Sequence, residues 1–241
     1  MSANEDWMKT PSNQFGTFTD ADDFLHPEIR QPGASLTETQ YFGFNIPEEN
    51  IYGFTYLWIH PNLDVVTGGL FACQGMKRNH LQAELFDVQA YLAKDEILTN
   101  DLHSYELPNS YRAEVVEPGK SMRISFNDPS RQNSLNFTTT AIMPVAMRGN
   151  NLHFEQAMKN SGELVLRGKR YKIDNTYNVR DRSLGQLRPE EINPIPPMTW
   201  VTGTFSDNCA FNCNGFDHPD FEPEWKDAYD WPAEKTLSEN L

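Results

Sequence analysis

Residues 171–188 read YKIDNTYNVRDRSLGQLR, a run with strand-like alternation that ends in Arg-Asp-Arg. As one extended segment it sends successive side chains to opposite faces. Tyr171, Ile173, Asn175, Tyr177 and Val179 then share a face that Asp181 and Ser183 continue, while Arg170, Lys172, Asp174, Thr176, Asn178, Arg180 and Arg182 take the other. A carboxylate therefore ends a mostly apolar face, between two arginines that point away from it. Such a cluster is costly to bury and has no purpose on a surface, which makes this strand the place to look for function.

The chain around it is built from similar runs. TETQYFGFNI, IYGFTYLWIHP and VVTGGLFACQG are separated by the turn signals PEEN and NLD. YRAEVVEPGKSMRISFNDPS contains the hairpin turn EPGK, and LNFTTTAIMPVAM, HFEQ and SGELVLRG follow. Runs of this length at roughly 8–12-residue spacing argue for an all-β sandwich or barrel. Only NHLQAELFDVQAYLA suits a helix, and its pattern also tolerates strands.

Residues 1–35 are polar and read as an arm that packs on a core rather than forming one. Residues 36–188 carry the β-runs of one complete domain. Residues 189–198 read as a linker, with four prolines between Pro189 and Pro197. Residues 199–241 open another β-run, TWVTGTFSDNCAFNCNGF, then give way to an acidic tail in which Asp217–Leu241 holds eight acids and two lysines. The expected organisation is a complete β-domain followed by the start of a second.

The 34 acids and 20 bases give a formal charge of −14. A surface this acidic repels phosphate backbones and anionic lipid heads, which argues against nucleic-acid and membrane-surface roles. No window approaches the roughly 18 apolar residues of a membrane span, so no membrane insertion is expected. The start, MSANEDWMKTPSNQ, lacks a basic region followed by an apolar stretch. Cys73, Cys209 and Cys213 have no framework spacing and read as free thiols of a reducing, cytoplasmic compartment. The histidines are scattered, and P-loop, G-x-G-x-x-G, G-x-S-x-G and H-E-x-x-H patterns are missing, so neither a metal nor a cofactor is expected.

Two groups of residues carry chemistry. In IYGFTYLWIH, Tyr52, Phe54, Tyr56, Trp58 and His60 share one strand face, and Ile51, Gly53, Thr55, Leu57 and Ile59 the other. The aromatic face fits the interior wall of a π-rich pocket, suited to a flat or polyunsaturated apolar ligand. It equally fits ordinary packing between two sheets. His153 and Glu155 fall on one face of a strand, about 7 Å apart. They suit an acid/base pair or a strut that satisfies buried polar groups.

HFEQ at 153–156, Gly162, Gly168, YKID at 171–174 and RDRSLG at 180–185 resemble a signature of the AttH/CrtC-like proteins, and ETQYFGFNIPEENIYGFTYLWIHPN at 38–62 resembles the opening of that family's first barrel. The match spans about residues 35–215 and is most specific over His153–Gly185. The resemblance implies a lipocalin-like antiparallel β-barrel with a partial or truncated second β-domain. Activities of the family include a carotenoid 1,2-hydratase and fungal pericyclic cyclases. It thus implies a cofactor-free lyase or isomerase, hydratase-like, acting on a hydrophobic isoprenoid, polycyclic or aromatic substrate. His153, Glu155, Gln156, Arg180, Asp181, Arg182, Ser183 and Gly185 match the motif. Leu184 stands where the family usually has tryptophan, and the chain stops after one or two strands of the second barrel.

On the enzyme reading, Asp181 projects into the cavity as a proton donor kept neutral by desolvation. His153 and Glu155 are its relay or orienters. Tyr41, Tyr52, Phe54, Tyr56, Trp58 and Tyr177 are the wall, and Arg180 and Arg182 contact the substrate. On a structural reading, Arg180, Asp181 and Arg182 join Glu155 or Asp174 in an ion-pair network that pins the last strand. The rival functions are a non-catalytic binding protein for a hydrophobic small molecule, and a barrel that works only as a homo-oligomer or with a partner that completes the second barrel.

Overall fold

The computed structural model describes residues 15–29, 36–148, 151–187, 198–216 and 234–239, without side-chain detail for 186, 187, 198, 199, 213–216 and 234–239. The expected linker and most of the acidic tail lie outside the described residues. The fold is all-β and antiparallel. In chain order the strands are β1 (Leu36–Ile46), β2 (Ile51–His60), β3 (Val65–Gln74), β4 (Leu85–Ala93), β5 (Thr99–Leu102), β6 (Ser104–Glu106), β7 (Arg112–Glu117) and β8 (Ser121–Asp128). Then come β9 (Asn133–Ala141), β10 (Ala146–Met147), β11 (His153–Leu166), β12 (Lys169–Ser183), β13 (Gln186–Leu187), β14 (Met198–Ser206), β15 (Cys209–Phe216) and β16 (Glu234–Glu239). The stretch that tolerated either helix or strand forms a short 3-10 turn, His80–Gln82, and then β4. Its apolar positions pair with β3 and do not stack on a helix face.

One large sheet runs β4-β3-β2-β1-β12-β11-β9-β8-β7-β6-β5, with β10 on β11 and β13 on β1. Laid flat, eleven strands at 4.8 Å would separate its edges by about 48 Å. The edge strands β4 and β5 are nevertheless joined by the five residues 94–98, which reach about 20 Å at full extension. The sheet must therefore curl into a half-barrel. Side chains tie the edge strand β4 to the far side of the curl, with Asn109 of the β6–β7 connection and Arg131 of the β8–β9 connection donating to Asp87 at 2.9 and 2.8 Å. The curled inner face is filled by Phe42, Phe44, Leu57, Ile59, Leu70, Ile124, Phe126, Phe137 and Leu164, all buried. The barrel interior is a packed core.

The inner residues of β2 are Ile51, Gly53, Thr55, Leu57 and Ile59. The aromatic set Tyr52, Phe54, Tyr56 and Trp58 faces outward, which corrects the expectation that it lines the barrel interior. Space decides this, because the curled side is already filled by rings and branched chains from β1, β8 and β9.

The strand that opened the sequence reading is also not one uninterrupted alternation. β11 has 14 residues and β12 has 15. Asn160 pairs with Thr176 and Ser161 with Asp174, so Asn175 is the extra residue of a β-bulge. Its φ of 55° lies in the left-handed region, which asparagine tolerates better than most residues. The bulge reverses the phase. Tyr171 and Ile173 point into the core before it, and Arg180 and Arg182 point inward after it, both at 2% exposure or less. Tyr177, Asp181 and Ser183 are left on the outer face.

The N-terminal segment makes those inward arginines tolerable. Its 3-10 turn, Asp20–Asp23, places Asp23 at 2.5 Å from Arg180, and Asp23 also accepts from the Gly119 N–H at 2.6 Å. Gln156 accepts from Arg180 at 2.6 Å. Arg182 donates to Glu38 of β1 at 3.0 Å and to the carbonyls of Asp22 and Phe24. His26 completes the layer beside Glu38 and Asp22. These residues tie the N-terminal segment, β1, β12 and the β7–β8 turn together inside the curl. The expected partners of the arginines, Asp181, Glu155 or Asp174, are not the ones used, because the bulge aims the guanidinia inward; Asp174 instead holds Lys172 at 2.7 Å.

A second, three-stranded sheet, β14-β15-β16, covers part of the outer face. Among the described residues no helix is long and apolar enough to cross a membrane.

Candidate acid–base site

Directly paired residues of adjacent strands project to the same face, and the register lines up one row on the outside of the half-barrel. Glu155 pairs with Asp181, Asp181 with Tyr41, and Tyr41 with Tyr56. One step along, His153 pairs with Ser183. The strands β11, β12, β1 and β2 thus bring residues as far apart in sequence as Tyr41 and Ser183 into one patch.

His153 links two of them. Its Nδ1 lies 3.0 Å from Ser183 Oγ and its Nε2 3.0 Å from Glu155 Oε1. Either ring nitrogen can carry the proton, so Ser183, His153 and Glu155 form a chain along which one proton can be moved. Glu155 is 8% exposed, and its second oxygen, Oε2, is buried without a hydrogen-bond partner among the described residues. Burial pushes the Glu155 carboxyl up to about 8, while Asn212, Arg148 and Trp200 each act to lower it. Asn212 and Trp200 come from β15 and β14. Their N–H groups point toward the carboxyl and favour its charged form, although none meets Oε2 in full hydrogen-bond geometry.

Tyr41 is the hub of the aromatic side. Its ring lies 5.5 Å from Phe54, 5.6 Å from Tyr56 and 5.4 Å edge-on from Trp200. Tyr56 stacks on Trp58 at 4.1 Å, and Phe54 on Phe71 at 5.4 Å. Gly43 leaves the room this needs, since a Cβ there would stand 1.9 Å from Asn178 Oδ1 and 3.2 Å from the Tyr41 hydroxyl. Burial, then the neighbouring Asp181 and Glu155 carboxylates, hold the Tyr41 phenol well above its ordinary value. Tyr41 is therefore a hydrogen-bond donor and not a phenolate.

A groove of about 360 Å³, counted out to open solvent, runs beside Glu155 between the two sheets. Ala146, Ala157 and Val179 line it from the half-barrel, and Thr202, Thr204, Ala210 and Asn212 from the second sheet. One end of the patch is thus amide- and hydroxyl-rich, and the other is aromatic.

The expected site residues divide accordingly. His153, Glu155, Asp181, Tyr41, Tyr56, Phe54 and Trp58 share the outer patch, and burial raises the Glu155 carboxyl. Arg180 and Arg182 lie behind the sheet and cannot meet a ligand in the groove. Tyr52 is 42% exposed at the far end of β2. Tyr177 is engaged elsewhere, donating to Asp207 at 2.8 Å. Leu184 packs with Met147 and Phe154 in a small buried cluster. Of the thiols, Cys73 is buried and free and Cys209 exposed and free; the Cys213 side chain lies outside the described residues.

The residues missed from sequence are Trp200, Thr202, Thr204 and Asn212. Asn212 sits inside CAFNC, where only the thiols drew notice. Its even-numbered partners on β14 carry the one available signal, a polar alternation from Trp200 to Thr204. Among the described residues no group of three or more His, Cys, Asp or Glu side chains converges as a ligand set for a metal ion.

A family model described as a domain of unknown function, DUF7064, matches residues 19–224. No curated protein matches the chain. Two solved structures are similar to it. One is described as AttH from Nitrosomonas europaea, at 12% identity and TM-score 0.47, covering 88% of this chain and 68% of that one. The other is a kievitone hydratase from Nectria haematococca, at 13% identity and TM-score 0.48, covering 88% and 66%. The chain thus spans about two thirds of the length of either.

Proposed function

For this chain, which belongs to the DUF7064 family, we propose a cofactor-free lyase or isomerase that protonates a hydrophobic, alkene-bearing aromatic, polycyclic or isoprenoid molecule in the groove between the two sheets. The observation that carries this reading is Glu155. A carboxyl that stays protonated to about pH 8, with an unpartnered oxygen at a groove, is a general acid in its working state.

The chemistry follows from the row. Glu155 gives its proton to an alkene carbon or to a departing hydroxyl. The cationic carbon that results is stabilised by the faces of Tyr41 and Trp200 and by the Asp181 carboxylate. The Glu155 carboxylate, relayed through His153 to Ser183, then takes a proton from an attacking water or from the adjacent carbon. From an alkene, capture of water is net hydration and loss of a different neighbouring proton is isomerisation; from an alcohol, departure of water with loss of a neighbouring proton is dehydration. In this reading Glu155 takes the acid's role expected of Asp181, and Asp181, its cross-strand neighbour, faces the developing cation.

The second reading is a binding protein without turnover, which the same groove and aromatic patch would also serve. A single experiment separates them. The protein is incubated in D2O with a panel of aryl alkenes, prenylated phenols and linear isoprenoids, and bound and free molecules are analysed by mass spectrometry. Deuterium or water entering a bound molecule, abolished in Glu155→Gln with binding retained, is the expected result. Binding without exchange contradicts the enzyme, and no binding contradicts both readings.

A further inference from the structure

Glu155 belongs to the half-barrel, but part of what keeps it dry belongs to the second sheet. Trp200, Thr202 and Thr204 alternate along β14, and Thr202 and Thr204 pair with Asn212 and Ala210 of β15. This face of the hairpin is the roof of the groove. Trp200 Nε1 donates to Asn212 Oδ1 at 3.0 Å. That bond occupies the Asn212 carbonyl oxygen and leaves its amide hydrogens as the donors available to the Glu155 carboxyl. Asn212 is itself 8% exposed.

The hairpin touches the half-barrel at a second place, of a different character. Asp207, in the turn between β14 and β15, lies 2.5 Å from Lys159 Nζ and accepts from the Tyr177 hydroxyl at 2.8 Å. Lys159 and Tyr177 are a directly paired couple on the outer face of β11 and β12, with the ammonium 5.1 Å from the ring centroid. The Asp207 side chain is 56% exposed, so this contact is bathed in water and holds weakly. The hairpin is thus held to the half-barrel by a dry contact at Glu155 and a wet one at the turn.

We propose that Trp200 and Asn212 are positioning residues for Glu155, carried on a lid formed by the β14–β15 hairpin whose latch is Asp207. With the lid down, water is kept from the carboxyl and the indole closes the aromatic end over Tyr41. With the latch released, the groove opens to the ligand and Glu155 meets water. The inference rests on Glu155 as the proton carrier, but its test needs no turnover.

The test uses the full chain with 13C-labelled glutamate. Hydrogen exchange of the hairpin is followed together with the NMR titration of Glu155. The groups facing that carboxyl are His153 from β11, Asp181 from β12, Tyr41 from β1 and Arg148, and all are kept. Asp207→Ala should speed exchange in β14–β15 about tenfold while β11 and β12 stay protected, and should move the Glu155 midpoint toward the ordinary carboxylate range. Asn212→Ala should move the midpoint without speeding exchange at the Asp207 turn. Tyr177→Phe removes one latch bond from the half-barrel side and should give a smaller change of the same kind, which decides the matter if Asp207→Ala unfolds. Unchanged hairpin exchange in both latch variants overturns the lid. Faster exchange with a fixed midpoint overturns the positioning role. An unreactive ligand panel would leave both results standing and count only against the proposed reaction.

Discussion

The two faces of β11 and β12 bury ionisable groups to nearly the same degree and to opposite effect. On the inner face Arg180 and Arg182 are met by Asp23, Glu38, Gln156 and backbone carbonyls. On the outer face Glu155 has His153 on one oxygen, and its other oxygen, beside Asn212 and Trp200, has no closed hydrogen bond among the described residues. Burial is common to both, so burial alone does not make a site. What separates them is whether an opposite charge is supplied. The inner network gives each guanidinium a carboxylate and holds the N-terminal segment to the barrel, even though Arg182 Nη1 and His26 Nδ1 are buried without a hydrogen bond, whereas the second oxygen of Glu155 has no ion-pair partner among the described residues.

The contrast can be broken first on the inner side. Asp23→Asn keeps the shape and removes the charge that Arg180 is built around. Leaving that guanidinium buried and unpaired should cost about 3–5 kcal/mol in urea unfolding. Replacing Glu38 and Arg182 together by leucine should cost less than replacing Glu38 alone, since no charge is then stranded. A cost under about 1 kcal/mol for Asp23→Asn, within the range of exposed pairs, would mean that Arg180 does not depend on Asp23 for its burial.

On the outer side, Glu155→Gln should reduce deuterium transfer to a bound ligand by at least about 100-fold. Its folding stability should be unchanged or higher, the reverse of the inner-face result. The pH dependence sharpens this further. Between the ordinary value of 4.5 and about 8, folded Glu155 keeps a proton that the unfolded chain has lost. Stability must therefore fall as pH rises through that window, by at most about 1.4 kcal/mol per unit, and level off above it. Thermal melts of the wild type and of Glu155→Gln should diverge across this range, with the variant the more stable at high pH.

The smallest effect is at the bulge that separates the two faces. Asn175→Val puts a β-branched residue at positive φ and should cost about 1–2 kcal/mol, whereas Asn175→Gly should be neutral.

Much of the fold was legible because it is local. Strand runs, the EPGK hairpin and the polar N-terminal segment all follow from patterns within a dozen residues. The phase of β12 was not, because nothing in YKIDNTYNV announces that β11 has one residue fewer opposite it. That single bulge decides which of Arg180, Asp181 and Arg182 meets the groove. The face of the aromatic ladder was hidden for a related reason, since Ile51–Ile59 and Tyr52–Trp58 are both apolar enough to bury, and only the filled curl chooses between them. His153 and Glu155 were readable as a pair from their spacing. The burial that raises the Glu155 carboxyl was not, because the residues beside it, Trp200 and Asn212, lie some 50 positions away beyond the proline-rich stretch. The partners of the arginines are farther still, 157 and 144 positions off.

The most direct measurement is the titration of Glu155 in the full-length chain, by NMR of 13C-labelled glutamate carboxyls assigned with Glu155→Gln. A midpoint near 8 is predicted, one resonance apart from all the other glutamates. A midpoint between 4 and 5 would mean that the carboxyl is charged at neutral pH, and would contradict its role as the site's acid.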